Sequence, residues 1–222
     1  MAKITRDILK VRKQVEEIIP TAFVESAPTI AKVKTVILDA GHGSNNRSFN
    51  KFDPGATNGT WVEASLTWRT SCQIYDLLCG YKNIEAILTR VSSNSKASLF
   101  DRVELANKKN ADLFVSIHFN SSVSKEAHGF EVWTTKGQTK SDLLAEHIYQ
   151  NIAERLGDKI TVRREMSDHD SDKESNFYVL NNTKMPAVLI EMAFISNEKE
   201  MQFFYENHEE YIKAVAKAIV EF

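Results

Sequence analysis

The sequence predicts an α/β fold, a single domain built on a twisted, mostly parallel (mixed) sheet of about six strands with helices on both faces. Three observations predict it. From residue 35 onward, short apolar runs alternate with longer stretches of helical periodicity, the pattern of strands joined by crossover helices. The runs TVILDA, LFVSIH and AVLIEM are nearly continuous in apolar residues rather than alternating, as expected of strands covered on both faces. A chain of 222 residues, 42% hydrophobic and 26% charged, is long enough for one sizeable core and too apolar for wholesale disorder.

The elements follow in order. Residues 4–19 read as an amphipathic helix, because Ile4, Ile8, Val11, Val15 and Ile18 recur at helical spacing while Arg6, Lys10, Lys13 and Glu17 fall elsewhere. Pro20 ends it, and residues 20–34 read as a linker or arm. Residues 1–34 are therefore expected to be an appendage and 35–222 the main domain. Strands are expected at TVILDA (35–40), EAILTR (85–90), LFVSIH (113–118), GFEVWTT (129–135), ITVRR (160–164) and AVLIEM (187–192). Helices are expected near Glu63–Leu78, Leu99–Lys109 and Ser141–Leu156, and from Glu198 to the end. The polar segment DHDSDKESN (168–176) reads as an irregular loop of the kind that rims a site.

Charge and cysteine content narrow the function. A net charge of −2 offers no basic footprint for nucleic acid and no general attraction to an anionic membrane. No apolar run reaches membrane-spanning length, and charges interrupt the first 20 residues too often for a signal-peptide core. Either the protein is not exported by that route or a signal has been removed, and a monomer is the expected state. Cys72 and Cys79, in one helix, stand about 10 Å apart along the axis, too far for a disulfide. They read as two small core residues.

The chemistry is concentrated at strand ends. TVILDA runs into Gly41-His42-Gly43, LFVSI into His118, and AVLI into Glu191. Functional groups of parallel α/β sheets gather at the carboxyl ends of strands, so these three are expected to converge. Singly, each histidine is more readily a hydrogen-bonded loop or near-core residue. Glu191 is harder to dismiss, since a carboxylate after four apolar residues is costly unless it is paired or faces a polar cleft. A hydrolytic zinc site takes three protein ligands and leaves a position for water. Glu63 is the candidate third ligand. An acidic residue in the first turn also complements the helix dipole, and spacing alone leaves both readings open.

Seven segments together resemble the zinc-dependent N-acetylmuramoyl-L-alanine amidases of the type-3 family: LDAGHG (38–43), DPGA (53–56), GTWVE (59–63), LTR (88–90), DRVELAN (101–107), ADLFVSIHFN (111–120) and KMPAVLIEMAFISN (184–197). The resemblance spans nearly all of residues 35–222 and leaves 1–34 uncovered. It implies His42, Glu63 and His118 as ligands of one zinc ion, Glu191 as the catalytic carboxylate, and peptidoglycan as the partner. The bond implied is the amide between the lactyl group of N-acetylmuramic acid and L-alanine. Asn120, Arg90 and Asn197 also match family motifs and read as loop braces. The chain departs from the family at Ala40, Ser44 and Ala193 and in a longer stretch at 44–52, none of which removes a ligand. The link from Trp133 to Ile160 is too short for the inhibitory helix of some cell-division members. The setting that fits is a phage endolysin, held in the cytoplasm until released by lysis, or else a bacterial enzyme exported by another route. The competing readings are a zinc peptidase or deacylase acting on another amide, and a wall-binding module that has lost catalysis.

Overall fold

The computed structural model describes residues 32–43, 52–166 and 170–222. The helix expected at 4–19, most of the linker, the segment 44–51 and residues 167–169 lie outside the described residues. Residues 33–222 form one compact unit. In chain order its elements are β1 (Lys34–Ala40), α1 (Glu63–Leu78), β2 (Ile84–Leu88), α2 (Leu99–Lys108), β3 (Leu113–Asn120), β4 (Glu131–Thr134), α3 (Lys140–Leu156), β5 (Lys173–Glu174), α4 (Tyr178–Asn182), β6 (Ala187–Phe194) and α5 (Glu198–Glu221).

The six strands form one sheet in the order β2-β1-β3-β6-β4-β5. Pairings are parallel except β4 with β6, which is antiparallel. The expected mixed, mostly parallel sheet is what forms. Period-2 alternation sorts the strand residues between two cores. Val36 and Leu38, Val115 and Ile117, and Val188 and Ile190 pack with α1, α3 and α5. Ile37, Phe114 and Leu189 pack on the other face with Val103 and Ala106 of α2 and Val179 and Leu180 of α4. That second layer is thinner, one ten-residue helix and one of five residues. By the same alternation Asp39, His118, Glu131 and Glu191 fall on its side. Toward the carboxyl ends of β1, β3 and β6 polar groups replace this thinner core, and a cleft opens there.

The helices begin where local chemistry permits. Ser98 caps α2 through a reciprocal box with Asp101, and Thr139 does the same for α3 with Asp142. The Asn197 side chain caps α5 by accepting from Lys199 N and Glu200 N. β3 and β6 stay in register to His118 and Glu191, and then one extra residue of β6 is taken up before Asn120 meets Phe194. A bulge beside a cleft re-aims the side chains around it.

Three expectations are corrected. ITVRR (160–164) is not a strand. It contributes one bridge, Val162 to Phe130, because Arg163 and Arg164 turn to carboxylates and aromatic rings instead of extending the edge. Cys72 and Cys79 are both free thiols, but neither is a core residue. Cys72 is half-buried and Cys79 is exposed at the end of α1. The stretch 168–176 is not wholly irregular, since Lys173–Glu174 adds a short edge strand beside β4. Helix α4 was not expected, being a single short turn with no room for a periodic signal.

Candidate active site

β1 ends at Ala40, and the next two residues turn the chain sharply. His42 has φ 60° and Gly43 φ 87°. The turn brings the His42 imidazole over the cleft, where its ring centroid lies 4.9 Å from that of His118. Two glycines make the close approach possible. A Cβ on Gly41 would lie 2.3 Å from His118 Nε2, and one on Gly55 would lie 2.5 Å from Glu63 Oε2 and 2.7 Å from the His42 ring. Any side chain at either position would displace the cluster.

The segment Asp53-Pro54-Gly55-Ala56 joins these groups. Asp53 Oδ1 accepts from Gly55 N at 3.0 Å, and its Oδ2 stands 2.9 Å from His42 Nδ1. The imidazole is thereby oriented with Nε2 facing Glu63 Oε2 at 3.0 Å. A carboxylate on the far ring nitrogen is the usual way to fix the tautomer and orientation of a metal-binding histidine. Asp53 was not singled out from the sequence, although it lies in the quoted DPGA motif and the Asp-x-Gly spacing of a tight side-chain turn was visible.

Glu63 opens α1. Its own N–H donates to Ala56 O at 3.0 Å and the Ala64 N–H to Pro54 O at 2.9 Å, so the helix start is strapped to the same turn. No side chain caps this helix. The Glu63 carboxylate accepts from Ala56 N at 2.8 Å and Phe119 N at 3.1 Å, and faces His118 Nδ1 at 3.1 Å. A carboxylate that served only the helix dipole would stay in water; this one is 4% exposed and wedged between two imidazoles. His42, Glu63 and His118 each present one ligand atom, and those atoms lie within 4.8 Å of one another. Two imidazole nitrogens and one carboxylate oxygen match the donor set of a three-ligand hydrolytic zinc site.

The electrostatics favour positive charge at this centre. Burial pushes the His42 pKa down, but the hydrogen bonds and charges of Glu63 and Asp53 outweigh it and raise it to about 9. Burial pushes the Glu63 carboxyl up, but His118 and His42 outweigh it and hold the group well below the usual carboxylate range. The carboxylate is therefore charged at every working pH and ready to balance a cation.

Glu191 stands beside His118 in the β3–β6 register and lines the same cavity of about 360 Å³. Its Oε2 is buried and has no hydrogen-bond partner. Burial first, then the charges of Glu63 and Glu131, push its pKa well above the ordinary glutamate value, while His42 and Lys173 offset part of this. A carboxyl shifted in this direction keeps its proton more readily than an ordinary glutamate, the property a general acid–base group needs.

Glu131 was missed from the sequence. It pairs with Glu191 across β4 and β6, is 1% exposed, and is held by Arg163 Nε at 2.5 Å, Lys173 Nζ at 2.8 Å and Asn120 Nδ2 at 3.0 Å. A lone acidic residue inside GFEVWTT was the available signal. Asn120, Arg90 and Asn197 act as braces: Asn120 on Glu131, Arg90 on the carbonyls of Gly41 and Ala64, and Asn197 on Ala127 O as well as the α5 cap. Leu99, Phe177, Tyr178, Val179 and Leu189 also line the cavity. Asp172, from the acidic segment, is buried against Thr134 and does not line it.

The same region matches known proteins. A family model described as N-acetylmuramoyl-L-alanine amidase matches residues 36–222. The protein YqiI of Bacillus subtilis is 33% identical over 187 residues, 84% of this chain and 82% of its own length. N-acetylmuramoyl-L-alanine amidase LytC of the same organism is 31% identical over 169 residues, 75% of this chain, and the chain spans only 30% of LytC. In three dimensions the crystal structure of N-acetylmuramoyl-L-alanine amidase from Clostridium difficile 630 aligns with TM-score 0.75 and 28% identity, covering 86% of this chain and 96% of that one. With the family model spanning all but the first two residues of the sheet and all four candidate residues, the chain belongs to the N-acetylmuramoyl-L-alanine amidase family.

Proposed function

We propose that the chain is a peptidoglycan hydrolase that cleaves the amide between the lactyl group of N-acetylmuramic acid and L-alanine. One Zn²⁺ is held by His42, Glu63 and His118, and Glu191 moves the protons. The observation that carries this reading is the meeting of three ligand atoms and one carboxyl whose Oε2 has no hydrogen-bond partner in a single cleft. A zinc ion held there supplies Lewis acidity toward the scissile carbonyl and toward an attacking water.

The residues of the chain do the rest. Asp53 keeps His42 oriented, and the Ala56 and Phe119 N–H groups fix Glu63 in place. Glu191 accepts a proton as water adds to the carbonyl carbon. It returns that proton to the nitrogen as the carbon–nitrogen bond breaks, so the L-alanine amine leaves neutral. The apolar wall of Leu99, Val179 and Leu189 suits the methyl groups that flank this amide on both sides.

Purified cell wall is the deciding substrate. Turnover should release new L-alanine amines and no new reducing sugar ends. Release from unrelated acylated peptides but not from wall would favour the peptidase or deacylase reading. Wall binding with bound zinc and no turnover would favour a module that has lost catalysis. The site of action is the cell wall; among the described residues no helix is long and apolar enough to cross a membrane.

Two further results are expected. Tyr178 is 43% exposed at the rim of the cavity, where an aromatic face can pack on a sugar ring or peptide stem. Tyr178→Ala should raise KM on wall roughly 5-fold with kcat nearly unchanged, on the order of 1 kcal/mol of lost contact. An equal fall in kcat would place Tyr178 in the chemical step instead. The domain division at residue 34 is tested by deleting 1–32. Every proposed catalytic residue lies beyond that point, and the family match begins at residue 36. Turnover of a soluble muropeptide should stay near normal. Its loss in a deletion that remains folded and zinc-loaded would show that the appendage serves the chemistry.

A further inference from the structure

We propose that Arg102, together with Arg90, is a positioning residue for the metal centre. The two guanidinium groups hold the strand-end turn in the left-handed conformation that aims His42. The inference rests on the metal site described above and goes beyond it, because neither arginine faces a ligand atom.

Three consecutive carbonyls of the turn each accept from an arginine. Ala40 O accepts from Arg102 Nη1 at 2.6 Å, Gly41 O from Arg90 Nη1 at 3.0 Å, and His42 O from Arg102 Nη2 at 2.5 Å. Arg102 also pairs with Asp39 and donates from Nε to Ala97 O at 3.0 Å, so its plane is fixed on every edge. Both side chains are buried, Arg102 at 3% and Arg90 at 0% exposure. Arg90 further closes off Gly43, where an added Cβ would lie 2.6 Å from its Cζ.

The need for such a clamp lies in the backbone. His42 carries a Cβ yet sits at φ 60°, where its side chain crowds the following carbonyl. Left alone, the peptide would relax and swing the imidazole away from Glu63. The rigid fork of one guanidinium spans the carbonyls of residues 40 and 42 and so sets the conformation of the residues between them. A lysine ammonium is a single point and cannot span both. Stability alone does not explain burying two cations against one nearby carboxylate, since apolar side chains fill a core more cheaply than charges. What the arginines add is a geometry, and that geometry ends at a ligand.

R102K keeps the charge and loses the fork. At a temperature well below its unfolding, R102K should bind zinc 10- to 100-fold more weakly in competition with a chelator. The visible spectrum of the Co²⁺-substituted protein should shift, reporting altered ligand geometry. I148V, a core change in α3 away from the turn, is the control for general destabilisation and should leave both readouts unchanged. A second measurement needs no metal. In the chelator-treated protein, R102K should lower Tm less in a H42G background than in wild type, because glycine removes the strain that the clamp restrains. An unchanged zinc affinity in R102K, or the same Tm loss with and without H42G, overturns the proposal. If R102K does not fold, R90K is read in both assays and should show smaller shifts of the same sign. Failure of the wild-type chain to bind zinc would overturn the metal reading alone, and the Tm comparison would still decide the clamp.

Discussion

Glu191→Gln should yield a folded, zinc-loaded protein that binds wall fragments and turns them over 10²- to 10⁴-fold more slowly, the range that general acid–base catalysis contributes. Glutamine keeps the side-chain volume at this half-buried strand position, so no cavity opens. It also removes a charge that the fold resists. The folded pKa of Glu191 lies above its unfolded value of about 4.3. Its burial is therefore least costly when the group is protonated, and the cost grows as pH rises from the unfolded toward the folded pKa. The metal-free variant should accordingly melt at or above the wild-type temperature at pH 7. Loss of activity without loss of stability or metal is the signature of a proton carrier. An emptied metal site would make Glu191 a ligand, and a fully active variant would return the proton role to another carboxylate.

Much of this arrangement was legible before any coordinates. The helix at Glu63–Leu78 and the strands that carry His118 and Glu191, with His42 just past β1, follow from periodicity and from apolar runs broken by a reactive residue, although β3 and β6 run on past those residues to Asn120 and Phe194. Their convergence follows from the rule that parallel sheets gather function at one edge. What was not legible depends on partners distant in sequence. Glu131 reads as an ordinary polar residue of a half-exposed strand until β6 is placed beside β4 and the cations of 163 and 173 fold over it. Asp53 matters only because a turn lays it against the far nitrogen of His42. The run ITVRR has strand propensity, yet its arginines find better partners in Glu131 and the Phe194 ring than a ladder would provide. Periodicity reports burial and local geometry. It carries no information about which charged groups will meet across the sheet.

The same glutamine substitution at Glu63 should have the opposite signature, and the contrast separates two carboxylates that share one cavity. Each Glu63 oxygen does two things. Oε1 accepts from Phe119 N and faces His118, and Oε2 accepts from Ala56 N and faces His42. A glutamine has one oxygen. Whichever way its amide is turned, its NH₂ confronts a backbone N–H at 2.8–3.1 Å and leaves that donor unsatisfied in a buried place. Such an orphan costs about 1–3 kcal/mol. The substitution also removes the negative charge that attracts a cation between the two histidines. Glu63→Gln should thus lower Tm, lose zinc on dialysis and lose activity in proportion to metal content, with partial recovery in excess zinc. Glu191→Gln should show none of that recovery, because its metal is already in place. Metal content measured beside turnover for both variants decides the assignment. A zinc-loaded, inactive Glu63→Gln would exchange the roles of the two residues, and a zinc-loaded, active one would remove Glu63 from the site.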